Sequence, residues 1–189
     1  SDHGRLGAFM LQNAYCERVV FTDISAPSLE KARRLTALLG LNDRADFCVG
    51  DGACALNRRV DVAIIAGMGG ETISSIIQNA QGHLDGARLL LQPNVAAPQL
   101  RAALNRCGWH ISREALARDG RRIYPIIEAV EGSQVLNEVE LEVGPVLLRE
   151  KPPLLRDYAR FHIRVAEKAL SGALRGGDAA SISALEHTL

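Results

Sequence analysis

Residues 18–29 read RVVFTDISAPSL, and this stretch decides the fold. Its short apolar run, residues 19–21, is typical of a strand that is buried in a parallel sheet. Ser25 then supplies a helix N-cap and Pro27 an early-turn proline, and leucines follow at helical spacing until Gly40. A strand followed by a capped helix is half of a βαβ unit.

The same alternation recurs along the chain as far as Gly132. Further strands are predicted at residues 46–49, 60–66 and 88–91, further helices at 71–79 and 96–107, and a closing antiparallel pair at 109–116 and 122–130. Strands that alternate with helices form a mostly parallel sheet covered on both faces. We therefore expect an α/β fold, a Rossmann-like doubly wound sheet, in which residues 60–66 form a central strand.

The periodicity changes after Gly132, where residues 135–143 fit a strand or a short helix equally well. Residues 154–170 form an amphipathic helix whose apolar stripe is Leu154, Tyr158, Phe161, Val165 and Ala169. Residues 181–189 are expected to start another helix. The prediction is a Rossmann-like domain over residues 1–132 and a mainly helical, coiled-coil-like region over residues 133–189.

Composition limits the class of protein. The 189 residues are 47% hydrophobic and 23% charged, and 22 Lys and Arg balance 22 Asp and Glu. A polybasic nucleic-acid binder is excluded, although a local basic face is not. No apolar run reaches the roughly 18 residues that span a bilayer. The four cysteines lack C-x-x-C spacing and the histidines lack ligand spacing, so we expect a cytoplasmic protein without a metal.

Polar side chains follow several of the predicted strands, where parallel sheets place their ligands. Asp23 can bind the two hydroxyl groups of a ribose, or it can cap the following helix. Asp51, between two glycines, can contact an adenine amino group or form a plain turn. Residues 1–7, SDHGRLG, form a turn in which glycine permits close approach of a ligand, or an ordinary turn.

Two later loops carry the remaining candidates. Residues 66–72 read AGMGGET, which is glycine-rich but lacks the lysine of a phosphate loop. The side-chain amides of Gln92 and Asn94 flank Pro93 and present donors and acceptors in a fixed orientation, as reading a base edge requires. The alternative is that Asn94 is the N-cap of the next helix.

Taken together, these stretches resemble the bacterial tRNA (adenine-22-N1)-methyltransferase family, TrmK. The motifs that carry the resemblance are residues 1–4 (SDHG), 22–23 (TD), 50–52 (GDG), 66–70 (AGMGG), 91–94 (LQPN) and 119–124 (DGRRIY). The resemblance implies S-adenosylmethionine as cofactor, tRNA as partner and transfer of a methyl group to N1 of an adenine, adenosine 22 in this family.

The resemblance also implies roles for individual residues. Those near the cofactor are Asp2, His3 and Gly4 at the methionine end, Asp23 and Ile24 at the ribose, Asp51 and Gly52 at the adenine, and Gly67, Met68 and Gly69 near the sulfonium. Those expected at the base are Gln92, Pro93 and Asn94. Asp2, Gln92 and Asn94 are the catalytic candidates: an amide accepts from the exocyclic amine of adenine, and Asp2 favours the developing positive charge.

The chain begins with Ser1, and the strand ending Asp-Ile-Gly that precedes this loop in the family is not in the sequence. We therefore expect the first strand of the sheet to be missing.

Basic residues cluster in two places. Arg156, Arg160 and Arg164 recur at intervals of four residues on the predicted helix, and Arg121 lies in a second basic group at residues 118–122. Phosphate is one partner for such a stripe, and we expect Arg121, Arg160 and Arg164 to bind tRNA. The alternative is a solvated face that pairs with Asp157 and Glu167. A homodimer through the C-terminal helices is a further candidate.

Two other functions share these features. An NAD(P)-dependent oxidoreductase also has a ribose-binding acid and a glycine turn, although residues 4–7 do not supply the full Gly-x-Gly-x-x-Gly motif. A non-catalytic RNA-binding module is the other alternative.

Overall fold

The computed structural model describes residues 2–56, 58–80 and 82–176, and the chain divides into two compact units. Unit 1 takes in residues 1–61 and 75–85, and unit 2 takes in residues 62–74 and 86–189. Both units combine strands with helices, which confirms the predicted α/β class.

Unit 1 is built on a two-stranded parallel sheet. Its elements are helix α1 (Arg5–Gln12), strand β1 (Val19–Asp23), helix α2 (Ala26–Leu38) and strand β2 (Ala45–Val49). The pairing places Asp23 opposite Val49 at the carboxyl ends of both strands. As predicted, the Ser25 hydroxyl accepts a hydrogen bond from the Ser28 N–H (3.3 Å), and Pro27 lies in the first turn of α2.

The core of unit 1 forms between this sheet and its helices. Its buried members are Leu11, Phe21, Leu29, Ala32 and Ala45. The ring of Phe21 stacks on that of Phe47, with centroids 5.2 Å apart. Gly7 lies so close to this ring that an added Cβ would be 2.4 Å from it, so packing alone requires a glycine there.

Unit 2 contains a four-stranded sheet and most of the helices. Its elements are strand β3 (Val62–Gly69), helix α3 (Gly70–Asn79, whose last residues are grouped with unit 1), strand β4 (Arg88–Val95), helix α4 (Ala97–Arg106), strands β5 (Trp109–Asp119) and β6 (Arg122–Glu131), and helices α5 (Glu138–Val143), α6 (Pro145–Glu150) and α7 (Leu155–Gly176). The strand order is β3-β4-β6-β5. The β3–β4 ladder is parallel, whereas β6 pairs antiparallel with both β4 and β5.

The prediction that residues 60–66 form a central strand is wrong for the described part of the chain. There β3 pairs only with β4 and forms one edge of the four-stranded sheet. Val62 and Ile64 are accordingly 41% and 36% exposed. An apolar run indicates that a segment prefers burial, but it does not specify which strands flank it.

The described part of the C-terminal region, up to residue 176, is mainly helical. Residues 135–143 contain a helix rather than a strand, because the side chains of Asn137 and Glu140 form a reciprocal capping box. Pro145 begins α6, where the fixed φ of proline suits the first turn of a helix. The predicted division at residue 132 stays a prediction, and the helix expected over residues 181–189 lies outside the described residues.

A buried ion pair connects these helices to the sheet of unit 2. The side chains of Arg101 on α4 and Glu114 on β5 are both fully buried. Arg101 donates hydrogen bonds to the last carbonyls of α5, at Leu141, Glu142 and Val143, and Glu114 accepts from the N–H groups of Val146 and Leu147 at the start of α6. A cation at a helix C-terminus and an anion at an N-terminus both complement the helix dipole. Sequence reasoning did not find this pair.

Candidate active site

Asp23 lies at the carboxyl end of β1, where the sequence predicts a ligand contact. Its Oδ1 accepts a hydrogen bond from the Ser25 N–H at 2.9 Å, forming a tight turn after the strand. The N-cap of α2 is Ser25. The alternative role of Asp23 as the helix cap is therefore not observed. The side chain is partly exposed, and Ile24 beside it is 75% exposed.

Asp51 follows the neighbouring strand at the same edge of the sheet in unit 1. The Gly50 N–H donates to the carbonyl of Asp23 at 3.0 Å, which continues the ladder beyond β2. Asp51 is exposed and precedes the 3-10 turn Gly52–Ala55 without capping it through its side chain. The structure thus brings two predicted carboxylates to the ends of adjacent parallel strands. Such a pair provides acceptors for the hydroxyl and amino groups of a nucleoside.

Gly52 has a packing role that the sequence did not reveal. Its φ is +54°, and an added Cβ would lie 2.6 Å from Cγ2 of Ile76.

The first loop forms the 3-10 turn Asp2–Gly4, which leads into α1. His3 and Gly4 both adopt left-handed backbone angles, with φ of 61° and 62°. A Cβ on Gly4 would lie 2.6 Å from the Cβ of Ala32, so close packing on α2 also requires this glycine. His3 is a non-glycine residue in a sparsely populated conformation, which is a feature that clusters at functional sites.

The glycine-rich loop of unit 2 begins within β3, as a bulge at Gly67. Ala66 pairs with Gln92 and Met68 pairs with Pro93, so that Gly67 has no partner residue in the ladder. Its φ is +80°, and an added Cβ would meet nothing within 4 Å. The backbone is therefore open on this side, and Met68 beside it is 39% exposed.

Gln92 and Asn94 replace the backbone partners that the bulge removes. The Gly67 N–H donates to Oε1 of Gln92 at 3.0 Å, and Nε2 of Gln92 donates to Oδ1 of Asn94 at 3.1 Å. Nδ2 of Asn94 then donates to the Gly67 carbonyl at 2.8 Å. The three hydrogen bonds close a ring. The structure thus brings the two predicted amides together with Gly67.

This arrangement excludes one interpretation of Asn94, the N-cap of the next helix. The N-cap of α4 is Ala96, and the amide of Asn94 turns toward Gly67. Its Oδ1 accepts one hydrogen bond within the ring and keeps a second lone pair, which is the acceptor that an adenine amine would need. Asn94 is exposed, whereas Pro93 between the amides is buried.

Gly69 and Gly70 differ in whether the fold has space for a Cβ atom at that position. A Cβ on Gly69 would make only an ordinary contact, 3.7 Å from Val95. A Cβ on Gly70 would lie 2.0 Å from the carbonyl oxygen of Ala96, so only glycine allows α3 to start there. In the sequence analysis, the glycines of this loop are assigned to the cofactor. The occurrence of two consecutive glycines, Gly69 and Gly70, is the sequence signal that could have indicated this close packing.

The arginines of the two basic clusters, at positions 118–122 and 156–164, are exposed. Gly120 and Arg121 form the two-residue turn between β5 and β6, and Arg118 just before it forms an ion pair with Asp157 on α7. Pairing of Asp157 with the arginine stripe, which the alternative of a solvated face supposed, is therefore not observed. Among the described residues, no acidic side chain forms an ion pair with the stripe, which consists of Arg156, Arg160 and Arg164.

Across residues 2–56, 58–80 and 82–176, no group of three or more His, Cys, Asp or Glu side chains could hold a metal ion. In the same part of the chain, no helix is both long and apolar enough to cross a membrane.

Comparison with known proteins gives the family. Residues 1–185 match the TrmK family, tRNA (adenine(22)-N(1))-methyltransferase. The tRNA (adenine(22)-N(1))-methyltransferase of Bacillus subtilis is 28% identical over 159 residues, which are 80% of this chain and 67% of the relative. The family match selects the methyltransferase from the three functions that the sequence leaves open.

Solved structures agree with this assignment. Streptococcus pneumoniae Sp1610 in complex with S-adenosyl-L-methionine is 26% identical with a TM-score of 0.85, covering 100% of this chain and 89% of that chain. A protein of the NADB-Rossmann superfamily from Streptococcus agalactiae is 26% identical with a TM-score of 0.90, covering 100% and 84%. The chain belongs to the TrmK family of tRNA (adenine(22)-N(1))-methyltransferases.

Proposed function

We propose that this chain transfers a methyl group from S-adenosylmethionine to N1 of adenosine 22 in tRNA, with Asn94 and Gln92 at the base. The observation that carries the proposal is the pair of oriented amides at the end of β4, hydrogen-bonded to the open backbone of Gly67. This is the chemistry that recognition of an adenine edge requires.

The carboxylates of unit 1 fit a nucleoside cofactor. Asp23 would bind the ribose hydroxyls beside Ile24, and Asp51 would bind the adenine amino group beside Gly52. Both acids follow adjacent parallel strands, and Asp51 is exposed. Carboxylates in such positions form hydrogen bonds with vicinal hydroxyl groups.

The family resemblance implies further cofactor contacts in two loops. It assigns Asp2, His3 and Gly4 to the methionine end. In unit 2, residues 67–69 would lie near the sulfonium, where the open backbone at Gly67 allows close approach and Met68 supplies a polarizable apolar side chain. When bound, S-adenosylmethionine supplies an electrophilic methyl group.

The protein has to position the base rather than deprotonate it. Adenine N1 carries an in-plane lone pair and is nucleophilic without loss of a proton. The free lone pair on Oδ1 of Asn94 accepts a hydrogen bond from the exocyclic amine, with Gln92 holding the amide in place. As positive charge develops on the adenine, this acceptor stabilises it. The side chain of Asp2, the other catalytic candidate, lies outside the part of the chain that the structure describes.

The target base must leave its stack, because N1 lies on the pairing edge. We propose that Arg121, Arg160 and Arg164 bind tRNA phosphates while the base is displaced. The support is that all three are exposed and that the ion pair between Arg118 and Asp157 links the β5–β6 turn to α7. Since tRNA is the substrate, we also propose a cytoplasmic location.

Methylation of total tRNA by the protein, with mapping of the modified nucleotide, tests this function. We expect 1-methyladenosine at position 22 and loss of the product with Asn94→Ala. A different methylated nucleotide, or no dependence on S-adenosylmethionine, would contradict the proposal.

We also propose a homodimer through the C-terminal helices. Phe161 and Val165 on α7 are 60% and 52% exposed, on the apolar side of the helix. Light scattering after size exclusion should give twice the mass of the chain and should give the monomer mass for Phe161→Ser.

A further inference from the structure

The hydrogen-bond ring joins residues to which the proposed function gives different tasks. Gly67 belongs to the cofactor loop, whereas Gln92 and Asn94 belong to the base. We propose that Gln92 and Asn94 are also positioning residues for the cofactor loop, because the ring holds Gly67 in its left-handed conformation. The inference rests on the proposed function and gives the amides a role before any tRNA is bound.

The bulge makes this role possible. Gly67 is exposed and has no partner residue in the β3–β4 ladder, and the two amides provide its N–H and carbonyl with partners inside the protein. Packing does not hold the turn, since an added Cβ at Gly67 would meet nothing within 4 Å. The conformation of this turn therefore depends on the two side-chain amides.

Only one orientation of the two amide groups gives every hydrogen bond of the ring a donor and an acceptor. The Gly67 N–H requires an oxygen and faces Oε1 of Gln92, and the Gly67 carbonyl requires a donor and faces Nδ2 of Asn94. These two choices leave a donor on Gln92 facing an acceptor on Asn94, at 3.1 Å. Each bond polarises the next, so loss of one weakens the other two.

The ring couples binding of the cofactor to binding of the base. The ring fixes the Oδ1 of Asn94 that would accept from the adenine, and the same ring fixes Gly67 and, with it, Met68. A ligand that favours the Gly67 turn should therefore favour the amide orientation that binds adenine, and the reverse should hold to the same extent.

Hydrogen exchange of the Gly67 amide, measured by NMR on the full chain without cofactor, tests the inference. We expect Asn94→Ala to accelerate this exchange about fivefold or more, although Asn94 does not contact the Gly67 N–H. Exchange of the Leu91 and Ile127 amides, in the interior β4–β6 ladder, should stay unchanged and reports that the variant is folded. Gln78→Ala removes an exposed amide from α3 and is the matched control.

The affinity for S-adenosylmethionine, measured by calorimetry without RNA, is the second readout. We expect Asn94→Ala to weaken it about tenfold, as loss of one hydrogen bond to a positioned loop implies. Unchanged exchange at Gly67 in Asn94→Ala would overturn the inference and leave the amides as contacts to the base alone. Failure of the wild-type protein to methylate tRNA would instead contradict the proposed function, and the exchange result would still stand.

Discussion

The guanidinium of Arg101 lies 2.9 Å from the carboxylate of Glu114, and neither side chain is exposed to solvent. The remaining hydrogen-bonding groups of both side chains bind the backbone where α5 ends and α6 begins. Buried charges are tolerated only when they are paired and hydrogen-bonded in this way. The pair therefore fixes where the C-terminal helices start on the sheet of unit 2.

Glu114→Ala should lower the free energy of unfolding by about 3–5 kcal/mol, because it leaves Arg101 buried without its partner. Urea denaturation measures the loss. Glu150→Ala removes the exposed partner of Arg149 and should cost less than about 1 kcal/mol. Equal losses in the two variants would show that the buried pair has no special role.

Asp23→Asn should weaken binding of S-adenosylmethionine about tenfold or more, because the amide replaces a charged acceptor for the ribose hydroxyls. The fold should persist, since an Asn oxygen can still accept from the Ser25 N–H. Calorimetry gives the affinity, with Asp43→Asn as an exposed control in the same unit. An affinity that matches the control would remove Asp23 from the cofactor site.

Reversing the charge of Arg160 or Arg164 should weaken tRNA binding and reduce its salt dependence. Each lost phosphate contact lowers the slope of log affinity against log salt by about 0.7–0.9. Filter binding over a range of salt concentrations measures both effects. Arg59→Glu makes the same charge change in unit 1 and should leave the slope unchanged. If the three variants behave alike, α7 does not contact the RNA.

One substitution should have opposite effects at two glycines of unit 2. Gly70→Ala places a Cβ 2.0 Å from the Ala96 carbonyl and should destabilise the fold by about 3 kcal/mol or more. Gly172→Ala lies in α7 with open space around it and should stabilise the helix by about 0.5–1 kcal/mol. Thermal unfolding followed by circular dichroism distinguishes the two directions.

Local sequence signals predicted the elements well. The cap at Ser25 and the proline after it placed α2, and apolar runs placed all six strands. These signals depend on neighbours in the chain. The edge position of β3 and the start of α6 at Pro145 depend on pairing and packing between distant segments, and periodicity does not report them.

The sequence predicted which residues belong to the candidate site but not the contacts between them. The sequence indicated that Gln92 and Asn94 carry chemistry, yet their bonds to Gly67 cross 25 and 27 residues of chain. Gly4 and Gly52 stay predicted cofactor contacts. Together with Gly70 they are also required by side-chain or backbone neighbours that only the folded chain reveals.

The hairpin of β5 and β6 has a consequence for how the protein folds. Its ladder runs from Asp119 and Arg122 at a two-residue turn to Trp109 and Glu131, so each pair closes a loop only slightly longer than the last. Hairpins of this kind form in about 1–10 μs, whereas the parallel ladder of β3 and β4 must first enclose α3. We expect the hairpin to be the folding nucleus of unit 2: substitutions at Ile111 or Ile127 should slow refolding.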